Sequence, residues 1–213
     1  MQKKNIHNGY EYVDLGLPSG TLWATENFGN SSLYSFDNKE EIDSFASNHI
    51  GGAWKIPTKE QFDELINNTI SVWGKNYSGL SGKWFISKLN RNYIFFPSYG
   101  FSYEGKIYDK DVLGCYLSSS IANEDIGHKL CHKTYSFTDN GAYEDWLPFR
   151  WGCSVRAVAN KVVTKAELFR KDAREIADKV KHLKEDIAIF GDNYNLDKRN
   201  IIDIIKILNS GEK

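Results

Sequence analysis

The segment His128-Lys129-Leu130-Cys131-His132 is the best candidate for a metal site in the sequence. Imidazole nitrogen and thiolate sulfur are the protein ligands that zinc prefers. On a strand, however, His128 and His132 share one face and Cys131 points to the other, so one ion could not easily take all three. We therefore expect ordinary side chains here, with no metal and no cofactor.

Several acidic residues in the same half of the chain have the oxygen ligands that calcium prefers. They are Glu124, Asp125, Asp139, Glu144 and Asp145. Without a spacing that converges them on one ion, solvated loop charges are the simpler interpretation, and we expect no calcium.

The three cysteines, Cys115, Cys131 and Cys153, lie in predicted strands, where a buried cysteine usually acts as a small apolar side chain. Their odd number and wide spacing leave one disulfide possible but do not indicate a disulfide framework. No glycine-rich phosphate loop, Ser-His-Asp arrangement or zinc signature rises above chance. The sequence therefore predicts no catalytic residues.

Aromatic side chains concentrate between residues 139 and 151, interleaved with acidic residues and one arginine. Exposed aromatic rings beside arginine are typical anchors of binding surfaces. The alternative is that Trp146 and Trp151 fill the core, which we expect of at least one. We predict that loops around 119–127 and 139–151 contact a ligand. The predicted ligand-binding residues are Ser119, Ser120, Asn123, Asp125, Tyr143, Asp145, Trp146, Phe149 and Arg150.

Length and charge restrict the class of protein. A chain of 213 residues holds one domain and a small appendage. The formal net charge of −1 gives no electrostatic reason to expect nucleic acid or an anionic membrane as a partner. The first residues lack the apolar run of a signal peptide, and no stretch approaches the ~20 apolar residues of a membrane span. We expect a cytoplasmic or virion-associated protein, or a secreted one if the N-terminus has been processed.

The elements that must position these residues change character near Asn160. Residues 1–159 carry all four prolines, nearly all aromatic residues and many short runs of alternating polarity. Strands are predicted over 10–17, 21–25, 54–57, 82–86, 93–97, 114–119, 132–137 and 153–158. A short surface helix is predicted over 37–48, and a second helix after Thr58, with Gln61 completing a capping box. Because the last strand could return beside the first, the pattern favours an α+β fold.

Residues 160–213 contain no proline or tryptophan and are predicted to be helical. Thr164 and Glu167 form a capping box, an apolar heptad stripe follows, and Gly191 is placed to end the helix. A second helix from Asp197 is too apolar to stand alone in water, so we predict a helical hairpin or an oligomer contact. The predicted docking or oligomerisation residues are Phe169, Ile176, Val180, Leu183, Ile187, Ile201, Ile205 and Leu208.

The first region resembles a known family. Val13-Asp14-Leu15-Gly16-Leu17-Pro18-Ser19-Gly20-Thr21-Leu22-Trp23-Ala24-Thr25 is almost identical to the opening of the bacterial "major paralogous domain" family of gut anaerobes. Further blocks similar to those of the family follow in order at 54–64, 95–101, 116–119 and 154–158. Leu117 replaces a tryptophan and Ala157 a proline of the family pattern, and the helical tail is not part of it.

The resemblance implies a C-type-lectin-like fold, with two short helices against a twisted antiparallel sheet and a ligand face rich in loops. Formylglycine-generating enzymes and the variable proteins of diversity-generating retroelements use the same scaffold. In the variable proteins, the segment before the closing Ser-Val-Arg strand supplies the ligand face, which here corresponds to residues 139–151. The motifs that hold calcium in sugar-binding lectins are missing from this sequence.

Three functions follow from these patterns. The first is a non-catalytic adhesion or receptor-binding module that recognises a glycan or protein on a bacterial surface, encoded by a phage or a cell. The second is a structural protein that decorates a virion or envelope assembly through its tail. The third is an oxidative enzyme on the formylglycine-generating scaffold. We favour the first.

Overall fold

The computed structural model of the protein describes residues 5–7, 9–121, 131–161, and residues 176, 177, 179 and 181. The chain divides into two compact units, residues 1–161 and 162–213. In the second unit the four described residues are helical, and Ile176 is exposed. The other predicted docking residues and the predicted hairpin lie outside the described residues.

The first unit is a mixed α+β fold in which antiparallel sheets predominate. The helices are α1 (Lys39–Phe45), which continues into a π-helical turn (Ala46–Ile50), and α2 (Lys59–Asn68). The strands are β1 (Asn5–His7), β2 (Tyr10–Asp14), β3 (Thr21–Ala24), β4 (Trp54–Lys55), β5 (Thr69–Lys75), β6 (Ser81–Ser87), β7 (Tyr93–Pro97), β8 (Phe101–Tyr103), β9 (Lys106–Tyr108), β10 (Gly114–Ile121), β11 (Cys131–Phe137), β12 (Ala142–Pro148) and β13 (Val158–Asn160). Among the described residues, no helix is long and apolar enough to cross a membrane.

The five-stranded sheet joins the two ends of the first unit in the order β1-β2-β3-β13-β4. The last described strand, β13, therefore returns to the sheet that holds the first predicted strand, but it pairs with β3 and β4 and not with β2. The strand predicted over 153–158 is wrong in its bounds, because only residues 158–160 form a strand. The residues before it hydrogen-bond in turn to separate segments, with bridges from Cys153 to Tyr34 and from Ser154 to Tyr116.

Both helices begin as their sequences indicate. Thr58 accepts a hydrogen bond from the Gln61 backbone, and the Gln61 side chain accepts one from the Thr58 backbone, which confirms the predicted capping box. Asn38 caps α1 by accepting a hydrogen bond from the Glu41 backbone at 2.9 Å. Each helix buries one apolar face: Ile42 and Phe45 from α1, and Phe62 and Leu65 from α2.

The sheet β10-β11-β12 separates two apolar clusters, because successive side chains of a strand point to opposite faces. Cys115, Leu117 and Leu147 belong to the first cluster. Tyr116, Tyr135 and Phe137 belong to the second, together with Phe62 of α2. We call these sides of the sheet the first and second faces. The loop predicted over 139–151 is wrong for residues 142–148, which form β12.

Arg156 of the closing Ser-Val-Arg segment is fully buried and joins distant parts of the unit. Its guanidinium donates to Asn27 Oδ1 at 2.8 Å, to the carbonyl oxygens of Ala24 and Thr25, and to the carbonyl oxygen of Phe95. It also lies 4.5 Å from the centroid of the Phe96 ring. Because these acceptors belong to separate segments, one side chain fixes the β7 strand against the end of β3.

Candidate functional site

Four aromatic rings stack in series on the first unit in the order Tyr103, Trp151, Phe101, Tyr108. The centroids of Tyr103 and Trp151 are 4.9 Å apart, those of Trp151 and Phe101 are 5.1 Å apart, and those of Phe101 and Tyr108 are 5.4 Å apart. The last two pairs are nearly parallel, with interplanar angles of 11° and 17°. We call this group the aromatic stack.

The β8–β9 hairpin supplies three of the four rings. Its register places Phe101 opposite Tyr108, so the two rings lie on the same face of the hairpin. Glu104 and Gly105 form the two-residue turn, and both have the positive φ that such hairpin turns require. Gly100 precedes the hairpin with a φ of +73°, and a Cβ there would lie 1.8 Å from the Tyr108 carbonyl oxygen. Only glycine allows this close approach.

A backbone bridge holds the fourth ring beside the hairpin. The Ser102 N–H donates to the Gly152 carbonyl at 2.8 Å, and the Gly152 N–H donates back at 2.7 Å. A Cβ at Gly152 would lie 2.2 Å from Ser102 Oγ and 3.3 Å from the Leu33 backbone, so a larger residue there would displace the Ser102 hydroxyl. The bridge positions Trp151 between Phe101 and Tyr103.

The stack has one buried side and one side in solvent. Phe101 and Trp151 are half-buried and pack against the first apolar cluster. Tyr108 is 41% exposed, and Ile107 and Val112 nearby in sequence are also exposed. Rings fixed by packing on one side and open on the other lose little side-chain entropy on binding, which suits them to ligand contact.

The predicted residues of β12 divide between the two faces of its sheet. Tyr143 is 48% exposed and shares the first face with Asp145, which accepts a hydrogen bond from Ser136 Oγ at 3.1 Å. Trp146 lies on the second face with Glu144. Tyr143 and Trp146 therefore do not form one contact surface, and the aromatic stack packs on the Tyr143 side.

The side chains around Trp146 form a charged network that ties α2 to the sheet. The Lys133 ammonium lies 4.7 Å from the centroid of the Trp146 ring and 2.6 Å from Glu144 Oε1. Lys59 bridges Glu144 at 2.8 Å and Asp63 at 2.7 Å. Burial raises the pKa of Glu144, but hydrogen bonds from Lys133 and Lys59 outweigh it and hold that pKa below its usual value. The charges are matched, which indicates a structural role.

Tyr135 completes this network from the second face. Its hydroxyl donates to Asp63 Oδ1 at 2.5 Å and to the Lys59 carbonyl at 3.2 Å. Burial raises the pKa of Asp63, but the hydrogen bonds from Lys59 and Tyr135 outweigh it and leave the pKa lowered. The first turn of α2 is thus fixed to β11 by hydrogen bonds as well as by packing.

The two predicted ligand-binding serines of β10, Ser119 and Ser120, hydrogen-bond to the beginning of α2. The Ser119 N–H donates to the Pro57 carbonyl at 2.8 Å, and Ser120 Oγ accepts from the Lys59 N–H at 2.9 Å. Both serines are half-buried in a strand, not in the predicted loop. Asn123 and Asp125 lie outside the described residues.

Phe149 and Arg150 follow β12, and their side chains lie in different environments. Phe149 is half-buried and its ring lies 5.6 Å from that of His132. The Arg150 side chain is 79% exposed and its Nε lies 2.9 Å from Asp37 Oδ1. Arg150 also has a φ of +72°, which turns the chain between β12 and Trp151.

A cavity of about 840 Å³ lies apart from the stack, between α1, β4, the start of α2 and β13. Its lining includes Ser119, so this predicted residue borders the cavity instead of the Tyr143 surface. The other polar lining residues include Lys39, Asp43, Lys55, Gln61 and Asn160. Its volume falls within the range of small-molecule sites.

A buried pair on the first face brings together a thiol and an imidazole. Cys153 Sγ lies 3.7 Å from His132 Nε2, and both residues are at most 2% exposed. Burial lowers the pKa of His132 to about 4 and raises that of Cys153 well above its usual value. Both groups are therefore neutral at pH 7, the opposite of the thiolate and imidazolium that activate a nucleophilic cysteine.

We predicted that His128, Cys131 and His132 do not bind a metal ion together. His128 lies outside the described residues, while His132 and Cys131 are neighbours on β11 and so point to opposite faces. Within the ranges that the structure describes, no group of three or more His, Cys, Asp or Glu residues is arranged to hold a metal ion.

Comparison of the chain with models of protein families, with curated proteins and with solved structures found no match. The resemblance to the major paralogous domain family therefore stays a prediction from its sequence blocks.

None of the four rings of the aromatic stack is among the predicted ligand-binding residues, and Phe101, Tyr103 and Tyr108 also lie outside the predicted binding segment. Phe101-Ser102-Tyr103 and Lys106-Ile107-Tyr108 both alternate, and the two runs are separated by Glu104-Gly105. Two alternating runs joined by two residues ending in glycine are typical of a tight β-hairpin. That signal could have placed the aromatic rings on one face of a hairpin, but not beside Trp151.

Proposed function

We propose that this chain is a non-catalytic recognition module with a C-type-lectin-like first unit, which binds a ligand on a bacterial surface through the aromatic stack and Tyr143. The observation that carries the proposal is the stack itself: four rings in series, of which Phe101 and Trp151 pack on the first apolar cluster and Tyr108 is exposed to solvent.

A glycan is the ligand class that these rings favour. Tyr103 and Tyr108 end the stack, so each keeps one face outside it. The face of an aromatic ring is electron-rich and apolar, and it complements the C–H groups of a sugar ring. Tyr143 and Arg150 add a hydroxyl and a guanidinium that are exposed for hydrogen bonding. A protein ligand would use the same rings as hot-spot anchors.

The two other functions have less support. An oxidative enzyme would need reactive thiols, and burial keeps the Cys153 thiol protonated beside a neutral His132. A decoration protein would attach through the tail, and the exposed aromatic rings of the first unit would not be needed for that attachment.

Binding of the labelled full chain to an array of bacterial surface polysaccharides and glycans tests the proposal. We expect saturable binding to a subset of these glycans, retained after alkylation of accessible thiols and after treatment with a chelator. Binding to surface proteins alone would reassign the ligand class. Failure to bind any polysaccharide, glycan or fixed bacterial cell would contradict recognition and favour decoration.

A further inference from the structure

The sheet β5-β6-β7 exposes an apolar face on the side opposite the core. Phe85, Ile94 and Phe96 point inward and are buried. The side chains that alternate with them are Ile70, Val72, Trp84, Ile86, Tyr93 and Phe95, and together they form what we call the outer face. Ile70, Val72 and Tyr93 are each more than 40% exposed. No charged side chain belongs to this group.

Strand β5, which carries Ile70 and Val72, is an edge strand of this sheet. Within the described residues, β6 is its only strand partner. The Lys88 N–H donates to the Asn68 carbonyl, and the Asn76 N–H donates to the Leu80 carbonyl. These two bonds, one at each end of the β5–β6 pair, show which opposite residues are hydrogen-bonded pairs. Since hydrogen-bonded pairs alternate in antiparallel strands, even-numbered residues of β5 bond to β6. The backbone groups of Ser71 and Trp73 therefore point outward from the sheet.

An apolar edge strand of this kind is normally protected by charges, proline or a bulge. The sequence of β5, Thr69-Ile70-Ser71-Val72-Trp73-Gly74-Lys75, has one charged residue at its end and no proline. Its register with β6 runs without a shift over all seven residues. The edge is regular and can accept another strand along its whole length.

The sequence of β5 is complementary to itself when two copies run antiparallel about Val72. Ser71 of each copy then meets Trp73 of the other, and these are the residues whose backbone groups point outward. On the outer face Ile70 falls opposite Gly74, which leaves room for it. Lys75 falls opposite Thr69, so the two lysines do not face each other.

We propose that β5 pairs with β5 of a second copy of this chain, in the register centred on Val72, and joins the two sheets into one of six strands. The outward backbone groups gain strand partners, and Ile70 and Val72 of both copies form one continuous apolar strip. This inference does not depend on the proposed ligand-binding function. Two paired strands bury less surface than the ~1,200 Å² that stable interfaces bury. We therefore expect a weak dimer that forms only at micromolar or higher protein concentrations.

Proline at residue 71 tests this pairing selectively. It removes an N–H that points away from β6, so the bonds within the sheet are retained, and proline is tolerated on edge strands in this orientation. Ser71→Ala keeps the N–H and is the matched control. Val72→Lys places two like charges opposite each other at the centre of the junction and gives an independent test.

Sedimentation velocity of the full chain over a range of about 1 to 200 μM, where weak interfaces of this size dissociate, gives the readout. We expect the wild type and Ser71→Ala to shift from 24.4 kDa toward twice that mass as concentration rises. Ser71→Pro and Val72→Lys should weaken the dimer at least tenfold, with the circular dichroism spectrum unchanged. A wild type that stays monomeric, a higher oligomer, or a dimer that both variants retain would overturn the proposal.

Discussion

The indole ring of Trp151 lies nearly parallel to the phenyl ring of Phe101, with centroids 5.1 Å apart and an angle of 11° between the planes. The two residues are fifty positions apart in the sequence, and the backbone bridge between Ser102 and Gly152 holds them together. Because the bridge is made of backbone hydrogen bonds between two residues that flank the rings, the fold itself fixes the stack. Preorganised rings of this kind bind with little loss of entropy.

The close approach at Gly100 gives a prediction about the hairpin that carries the stack. In Gly100→Ala the new Cβ meets the Tyr108 backbone at 1.8 Å and also suffers the strain of a positive φ. We expect a loss of more than about 3 kcal/mol of unfolding free energy in urea denaturation. Gly105→Ala is the control, since it has a φ of +74° but nothing within 4 Å of the new Cβ. It should cost only about 1 kcal/mol; equal losses would contradict the close approach.

Because Arg156 is buried and Arg150 is exposed, we expect the same Arg→Lys change to lower stability much more at Arg156 than at Arg150. Arg156→Lys keeps the charge, but one ammonium cannot replace a planar guanidinium that donates to four separate acceptors. We expect a destabilisation of about 3–5 kcal/mol in chemical denaturation. Arg150→Lys changes an exposed ion pair and should cost less than about 1 kcal/mol. If Arg156→Lys is as mild as Arg150→Lys, the buried guanidinium does not hold the segments together.

The buried imidazole of His132 predicts a pH dependence of stability. Its pKa is about 4 in the folded chain because burial disfavours the cation, against about 6.5 in the unfolded chain. Between these values the unfolded chain binds more protons, so stability falls as the pH is lowered through this window. From pH 7 to pH 5 we expect a loss of about 2 kcal/mol, which His132→Gln should abolish. An identical pH slope in both proteins would show that the imidazole is not buried in the neutral form.

The two faces of β12 give a prediction that separates Tyr143 from Trp146. Tyr143→Ala removes an exposed ring on the side of the aromatic stack, so we expect its affinity for the array-selected glycan to fall about tenfold or more. Trp146→Ala removes a ring on the other face, beside Lys133, and should leave affinity within about twofold while lowering stability slightly. Calorimetric titration of both variants checks this. A larger loss for Trp146→Ala would place the ligand on the second face.

Local patterns in the sequence were sufficient for several elements of the fold. The capping box at Thr58 and the apolar spacing of Phe62 and Leu65 predicted α2, because these signals depend only on residues within a few positions. The return of the last strand near the first predicted strand was also expected, although its direct partners are β3 and β4. Strand bounds near residues 153–158 were wrong because that segment bonds to several partners in turn, which no local pattern encodes.

The candidate site was harder to predict than the fold. The density of aromatic residues over 139–151 predicted a binding segment that includes Trp151 of the aromatic stack. Periodicity alone could not place Tyr143 and Trp146 on opposite faces without the strand assignment of β12. Phe101, Tyr103 and Tyr108 join the site only through the contact of their hairpin with Gly152, across fifty residues. The serines of β10 are polar and suit a binding loop, yet they are used to hold the first turn of α2.

The most direct test is the affinity of the full chain for the strongest array hit when an end ring of the stack is removed. Tyr108→Ala deletes an exposed end ring, and Tyr77→Ala, at a fully exposed tyrosine outside the stack, is its matched control. We predict that calorimetric titration shows a loss of at least about tenfold for Tyr108→Ala, the threshold usual for an interface anchor, and no change for Tyr77→Ala. Wild-type affinity in folded Tyr108→Ala and Tyr103→Ala would show that the stack is not the ligand surface.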